Sequence, residues 1–152
     1  MKGIRLIIFD WGRTLYNNEG ERLFEESHAV LTHCVTKGYR VALLSVSSDP
    51  TRFSAKEKLI EDLHMKPFFE KMVIATQKEK EEIDEIAHHF GIPYSSILMI
   101  GDRTVREIKI ANELGMQSIW IQKGKFAHEI PTPETGKPTH TVNSLREVIN
   151  LI

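Results

Sequence analysis

The sequence predicts an α/β fold in three layers, a mainly parallel sheet flanked by helices. Two observations carry this expectation. Short apolar runs rich in isoleucine, leucine and valine recur along the chain, as strands buried on both faces of a sheet require. Stretches with apolar residues at helical spacing separate these runs, so strand and helix alternate as in right-handed βαβ units. A length of 152 residues suits one domain with a core of its own, spanning 1–152.

The elements follow in order. Leu6-Ile7-Ile8-Phe9 is the first strand and stops at Asp10. Tyr16 to Gly20, rich in asparagine and glycine, reads as a loop. From Glu21 to Lys37 the spacing of Leu23, Phe24, Val30, Leu31 and Cys34 predicts an amphipathic helix that Gly38 ends. Tyr39 to Ser45 is the second strand, and Asp49-Pro50 opens a helical stretch to about Leu63. Met72 to Ala75 is a short third strand. A charged helix follows from Lys78 to Phe90, with Ile83, Ile86, Ala87 and Phe90 on one face and Gly91 at its end. Ile97 to Ile100 runs into Gly101-Asp102, a helix from Val105 to Leu114 stops at Gly115, and Gln117 to Ile121 is the fifth strand. Lys123 to Pro138, with three prolines and two glycines, reads as a mobile surface excursion. Thr139 to Val142 is expected as an edge strand before a last helix, Ser144 to Leu151. The whole is a Rossmann-like arrangement.

Composition narrows the function classes. Twenty basic and twenty-one acidic side chains nearly cancel, so no global field draws the chain to nucleic acid or an anionic membrane. Nothing resembles a nucleic-acid-binding element, and no apolar run approaches the length of a membrane span. The single cysteine, Cys34, excludes an internal disulfide and fits a reducing cytoplasm; it is expected to be a small buried residue. The seven histidines form no zinc spacing. The oligomeric state is not readable from the sequence.

The chemistry lies at the strand ends. Asp10, Ser45, the lysines near position 78 and Asp102 each follow a predicted strand, and in a parallel sheet the carboxyl ends share one edge where ligands bind. Carboxylates brought together there repel unless a cation sits between them. Oxygen ligands without nitrogen or sulfur favour Mg²⁺. A bound Mg²⁺ invites a phosphate, whose other oxygens a hydroxyl and an ammonium can hold.

Taken together, Leu6-Ile7-Ile8-Phe9-Asp10-Trp11-Gly12-Arg13-Thr14-Leu15, Ser45 after Val41-Ala42-Leu43-Leu44, a lysine before the third-strand helix, and Gly101-Asp102 with Glu107 resemble the four motifs of the haloacid dehalogenase-like (HAD) superfamily. The resemblance implies a capless core domain, a phosphatase activity and a Mg²⁺ cofactor. It implies that Asp10 is the nucleophile and becomes an aspartyl phosphate, with Ser45 and Lys78 binding the phosphoryl group. Lys80 is the alternative to Lys78, although spacing to Ile83 favours Lys78. Asp10, the Gly12 carbonyl and Asp102 would ligate the metal, with Glu107 behind them. Thr14 and Arg13 join the substrate-binding set. A capless site is open to water and large ligands, so a bulky or macromolecular phosphorylated substrate is expected.

One position departs from the pattern. Family phosphatases carry a second aspartate two residues after the nucleophile, where this chain has Gly12. The glycine keeps a carbonyl for the metal but has no side chain to protonate the leaving oxygen. Arg13 stays protonated and cannot shuttle that proton, though it can bind an anion. The readings are a weak or specialised phosphohydrolase and a metal- and phosphate-binding pseudoenzyme. A dehalogenase or a phosphonate-cleaving enzyme comes behind both, since each needs a closed site.

Overall fold

The computed structural model describes residues 1–152. Its main sheet has six strands, all parallel, in the order β5-β4-β1-β6-β7-β8. These are β1 (Leu6–Phe9), β4 (Arg40–Val46), β5 (Lys71–Ala75), β6 (Ile97–Gly101), β7 (Gln117–Ile121) and β8 (His140–Val142). Two further strands, β2 (Tyr16–Asn17) and β3 (Arg22–Leu23), form a small antiparallel hairpin. Five α-helices connect the strands: α1 (Ser27–Thr36), α2 (Phe53–Asp62), α3 (Lys80–Phe90), α4 (Lys109–Leu114) and α5 (Leu145–Leu151).

Every residue of β1 is fully buried, because β1 is central and both its faces are covered. The two faces are distinct cores. Ile7 and Phe9 join Leu31, Cys34, Val41, Leu98 and Val148 on the side of α1 and α5. Leu6 and Ile8 join Ile83, Ile86, Met99 and Ala111 on the side of α3 and α4. Alternate residues of one strand thus serve opposite layers, the period-2 rule of strands. Cys34 is buried, and burial pushes its thiol up to about 12, so it packs as a small apolar residue. No helix is long and apolar enough to cross a membrane.

Four expectations need correction. Tyr16 to Gly20 is not simply a loop, since Tyr16 and Asn17 pair with Leu23 and Arg22. That pairing delays the following helix from Glu21 to Ser27, where the Ser27 hydroxyl donates to the Leu15 carbonyl at 2.6 Å. The helix expected from Val105 begins instead as one π-helical turn, Thr104–Ile108, before α4 takes over. The Lys123–Pro138 segment is tied to the fold. Glu129 accepts from the Arg103 guanidinium and the Val105 amide, and Asn112 donates to the carbonyls of Thr135 and Lys137.

Candidate active site

β1 delivers Asp10 to the carboxyl edge of the sheet, and its neighbours β4 and β6 deliver Ser45 and Asp102 beside it. After Asp10 the chain winds tightly, with the Trp11 carbonyl accepting from the amides of Thr14, Leu15 and Tyr16. This places the Thr14 hydroxyl 3.2 Å from Asp10 Oδ2, to which it donates. Asp102 is held by its own backbone: the Trp120 indole donates to its carbonyl at 3.0 Å.

Lys78 lies just before α3 with its side chain fully buried. Its ammonium donates to Asp10 Oδ1 at 2.8 Å and to Glu107 Oε1 at 2.7 Å. Lys80 is exposed and pairs with Asp84 on its own helix, so of the two lysines the fold brings only Lys78 to the cluster. Glu107 comes from the π-helical turn and also accepts from the Arg103 amide at 3.2 Å. The turn leaves no room at Gly101, where a Cβ would stand 2.7 Å from Glu107 Cδ. The glycine of the Gly-Asp pair is therefore required by the close approach of Glu107.

Charge sets the protonation states. Burial would raise the Asp10 carboxyl, but the Lys78 ammonium outweighs it and holds Asp10 below the usual carboxylate range. Burial alone would lower Lys78, and the carboxylates of Asp10 and Glu107 reverse the sign and raise it. Asp102 accepts no hydrogen bond from Lys78. Burial and the neighbouring charges of Asp10 and Glu107 push it up to about 8, and Arg106 opposes this shift only in part. One oxygen of each of Asp10, Asp102 and Glu107 lies within 4.8 Å of the others, and Asp102 Oδ2 is buried without a hydrogen-bond partner. An orphaned carboxylate oxygen in an all-oxygen set fits a hard divalent cation such as Mg²⁺.

The raised Asp102 has a measurable consequence in protein stripped of metal with a chelator. The folded chain keeps a proton that the unfolded chain releases near 3.8. The stability this group contributes is then full below about pH 4 and lost as pH rises toward about 8, a loss on the order of a few kcal/mol. Thermal melts in chelator are expected to fall across that range, and Asp102→Asn is expected to flatten the fall. A cation held by Asp102 would need it ionised, so any stabilisation by added Mg²⁺ is expected to grow with pH. A melting temperature independent of pH in chelator contradicts the placement of Asp102 among uncompensated carboxylates.

The cluster opens into a cavity of about 290 Å³ whose walls include Asp10, Gly12, Ser45 and Asp102. Arg13 and four side chains not anticipated from the sequence, Lys56, Arg103, Arg106 and Phe126, complete much of the lining. The Lys56 ammonium donates to Ser45 Oγ at 3.0 Å and to the Val46 carbonyl at 2.8 Å. Its pKa is lowered by burial, with Lys78 and Arg106 adding to the effect and Asp10 opposing it. A readable signal for Lys56 was its position one helical turn before Ile60, the buried residue of α2. Arg103 and Arg106 both follow the Gly-Asp pair closely in the chain, whereas nothing local marks Phe126. Gly12 faces Asn18: a Cβ there would lie 3.2 Å from Asn18 Nδ2.

The chain is similar in sequence and in fold to several known proteins. The family model described as HAD-hydrolase-like matches residues 78–148. A glyceraldehyde 3-phosphate phosphatase of Methanocaldococcus jannaschii is 28% identical over 114 residues, which are 72% of this chain and 48% of the relative. A second, from Methanopyrus kandleri, is 28% identical over 101 residues, 63% of this chain and 43% of the relative. The chain thus spans about half the length of the curated relatives it matches. A predicted phosphoglycolate phosphatase from Haemophilus somnus superposes with a TM-score of 0.75 at 12% identity, over 99% of both chains. A dehalogenase solved with an intermediate superposes at 0.79 and 12% identity, over 100% of this chain and 98% of that one. Over residues 78–148 the chain is thus similar to HAD-like hydrolases, and it shares its fold with these solved structures.

Proposed function

We propose that the chain is a Mg²⁺-dependent phosphohydrolase that works through an aspartyl phosphate on Asp10. The observation that carries this reading is the buried trio at the carboxyl edge, Asp10 held ionised by Lys78 beside the unpartnered oxygen of Asp102. Asp10, the Gly12 carbonyl and Asp102 would hold Mg²⁺, with Glu107 orienting Lys78 behind them. When bound, the ion supplies positive charge that offsets the phosphoryl oxygens. Asp10 attacks phosphorus, its free carboxylate oxygens oriented by Thr14 and Lys78. Ser45 and Lys78 bind the phosphoryl group, and Lys56 fixes the Ser45 hydroxyl. The substrate class this reading favours is a phosphorylated small molecule, in line with the names of the curated relatives. Those names give no support to a bulky or macromolecular substrate.

Gly12 favours a second reading, a metal- and phosphate-binding protein without turnover, since no carboxylate stands where the leaving oxygen would need a proton. Two measurements separate the readings. Wild type with Mg²⁺ is expected to release phosphate from p-nitrophenyl phosphate, and Asp10→Asn is expected to release none. Beryllium fluoride with Mg²⁺ is expected to stabilise wild type by about 2.7 kcal/mol at a hundredfold excess over its Kd, and Asp10→Asn not at all. A thermal shift without turnover assigns the chain to the second reading. Neither turnover nor shift overturns both.

A further inference from the structure

Two guanidinium groups in the cavity lining approach one ring. Arg103 stacks over Phe126 with its central carbon 3.7 Å from the ring centroid, and Arg13 approaches the same ring at 5.4 Å. Both line the cavity that Asp10 and Gly12 line. Each is held from outside through its Nε, Arg13 by Glu19 at 2.8 Å and Arg103 by Glu129 at 3.0 Å. That leaves their terminal nitrogens without protein partners. Glu129 is itself anchored, accepting from the Val105 amide at 3.1 Å, while the Thr104 hydroxyl donates to its backbone carbonyl at 2.7 Å. The forks are thus oriented in advance, and planar paired donors match carboxylate and phosphate oxygens.

Arg13 carries a further sign. Its backbone sits at φ 61°, in the left-handed region that disfavours a side chain with a Cβ. A non-glycine residue held there next to a nucleophile points to use of its side chain. Gly12 contributes by omission, since it adds no carboxylate to the cavity lining that would repel an incoming anion.

We propose that Arg13 and Arg103 form an anion subsite for the leaving group, and that the substrates are phosphoanhydrides or acyl phosphates rather than esters of neutral alcohols. This rests on the phosphohydrolase reading and names its substrate class. An Asp10 oxygen forms the new bond to phosphorus. The bond from phosphorus to the bridging oxygen breaks, and its electron pair leaves on that oxygen as phosphate or carboxylate. Such a leaving group departs without a proton, so the side chain missing at Gly12 is not needed in this step. Water then attacks phosphorus, the Asp10 carboxylate is released, and the phosphate product carries both protons of the water.

The test compares kcat/KM with Mg²⁺ for pyrophosphate and acetyl phosphate against p-nitrophenyl phosphate and glyceraldehyde 3-phosphate. The leaving group of p-nitrophenyl phosphate is comparable in acidity to phosphate but carries no charge before it departs. The two anionic-leaving-group substrates, or one of them, are expected to be preferred. Preference for pyrophosphate assigns the subsite to phosphate, and preference for acetyl phosphate assigns it to carboxylate. Arg13→Gly removes the cation while relaxing the backbone, so it is expected to fold with an undiminished melting temperature. It is expected to shrink the preference about 10- to 100-fold, the effect of one charge-assisted hydrogen bond, and Arg103→Gln to act in the same direction. Asp10-dependent hydrolysis with no such preference, or a preference untouched in Arg13→Gly, overturns the subsite and leaves the phosphohydrolase standing. No hydrolysis of any substrate overturns both.

Discussion

Replacing Lys78 by methionine is expected to cost about 3–5 kcal/mol of stability, the effect of breaking a buried ion pair by removing one partner. For a chain of this size that lowers the melting temperature by on the order of 10 °C. The reason is local. Lys78 has no solvent exposure and donates at once to Asp10 and Glu107, and Asp102 lies in the same cluster. Without the ammonium, three buried carboxyl groups face one another with only Arg106, 3.8 Å from Glu107, to offset them. They respond by taking up protons, so the loss is expected to be greatest at high pH. Lys78→Met combined with Glu107→Gln is expected to recover part of the stability, because one negative charge leaves with the cation. Calorimetry of the single and double variants checks both statements. A single variant that melts within a degree or two of wild type shows that the pair is not buried as described.

Restoring an aspartate at position 12 is expected to raise kcat/KM for alkyl phosphates about 10²- to 10⁴-fold, the usual worth of a positioned general acid. Gly12 has no left-handed backbone to forbid a side chain, and the only close neighbour of a new Cβ is the end of Asn18. Gly12→Asp with Asn18→Ala clears that space and is expected to give the larger gain. For leaving groups that depart as stable anions the gain in the first step is expected to be small. A Brønsted plot over phosphates of graded leaving-group acidity makes the comparison: steep for wild type, shallow for the double variant. Equal slopes would mean that proton donation does not limit the wild-type reaction.

Much of the fold was legible because burial on both faces leaves a plain mark. The runs at Leu6–Phe9 and Ile97–Gly101 are continuous apolar segments, and such runs can only be central strands or buried helices. The hairpin of β2 and β3 escaped notice because two residues per strand are too few to show a period. The π-helical turn was hidden for another reason: Val105 and Ile108 keep an ordinary helical spacing, and only the approach of Glu107 to Gly101 reveals the altered winding. At the site, Asp10, Ser45, Lys78 and Asp102 were readable from their places at strand ends. The fold does bring them to one edge. Lys56 offered only its place one turn before Ile60, Arg103 and Arg106 were hidden because charged side chains usually face water, and nothing local marks Phe126. Their convergence depends on tertiary packing and on Glu129, from a segment that looked like a free excursion.

The indole of Trp120 donates to the Asp102 carbonyl, and that of Trp11 stacks on Tyr16 immediately after Asp10. The chain has only these two tryptophans, one next to Asp10 in the chain and one bonded to Asp102, both almost wholly shielded from water. Unlabelled protein therefore carries its own optical gauge. Excited at the long-wavelength edge, where tyrosine does not absorb, its ultraviolet emission arises beside the carboxylates, and quenching or a change of hue reads out events there.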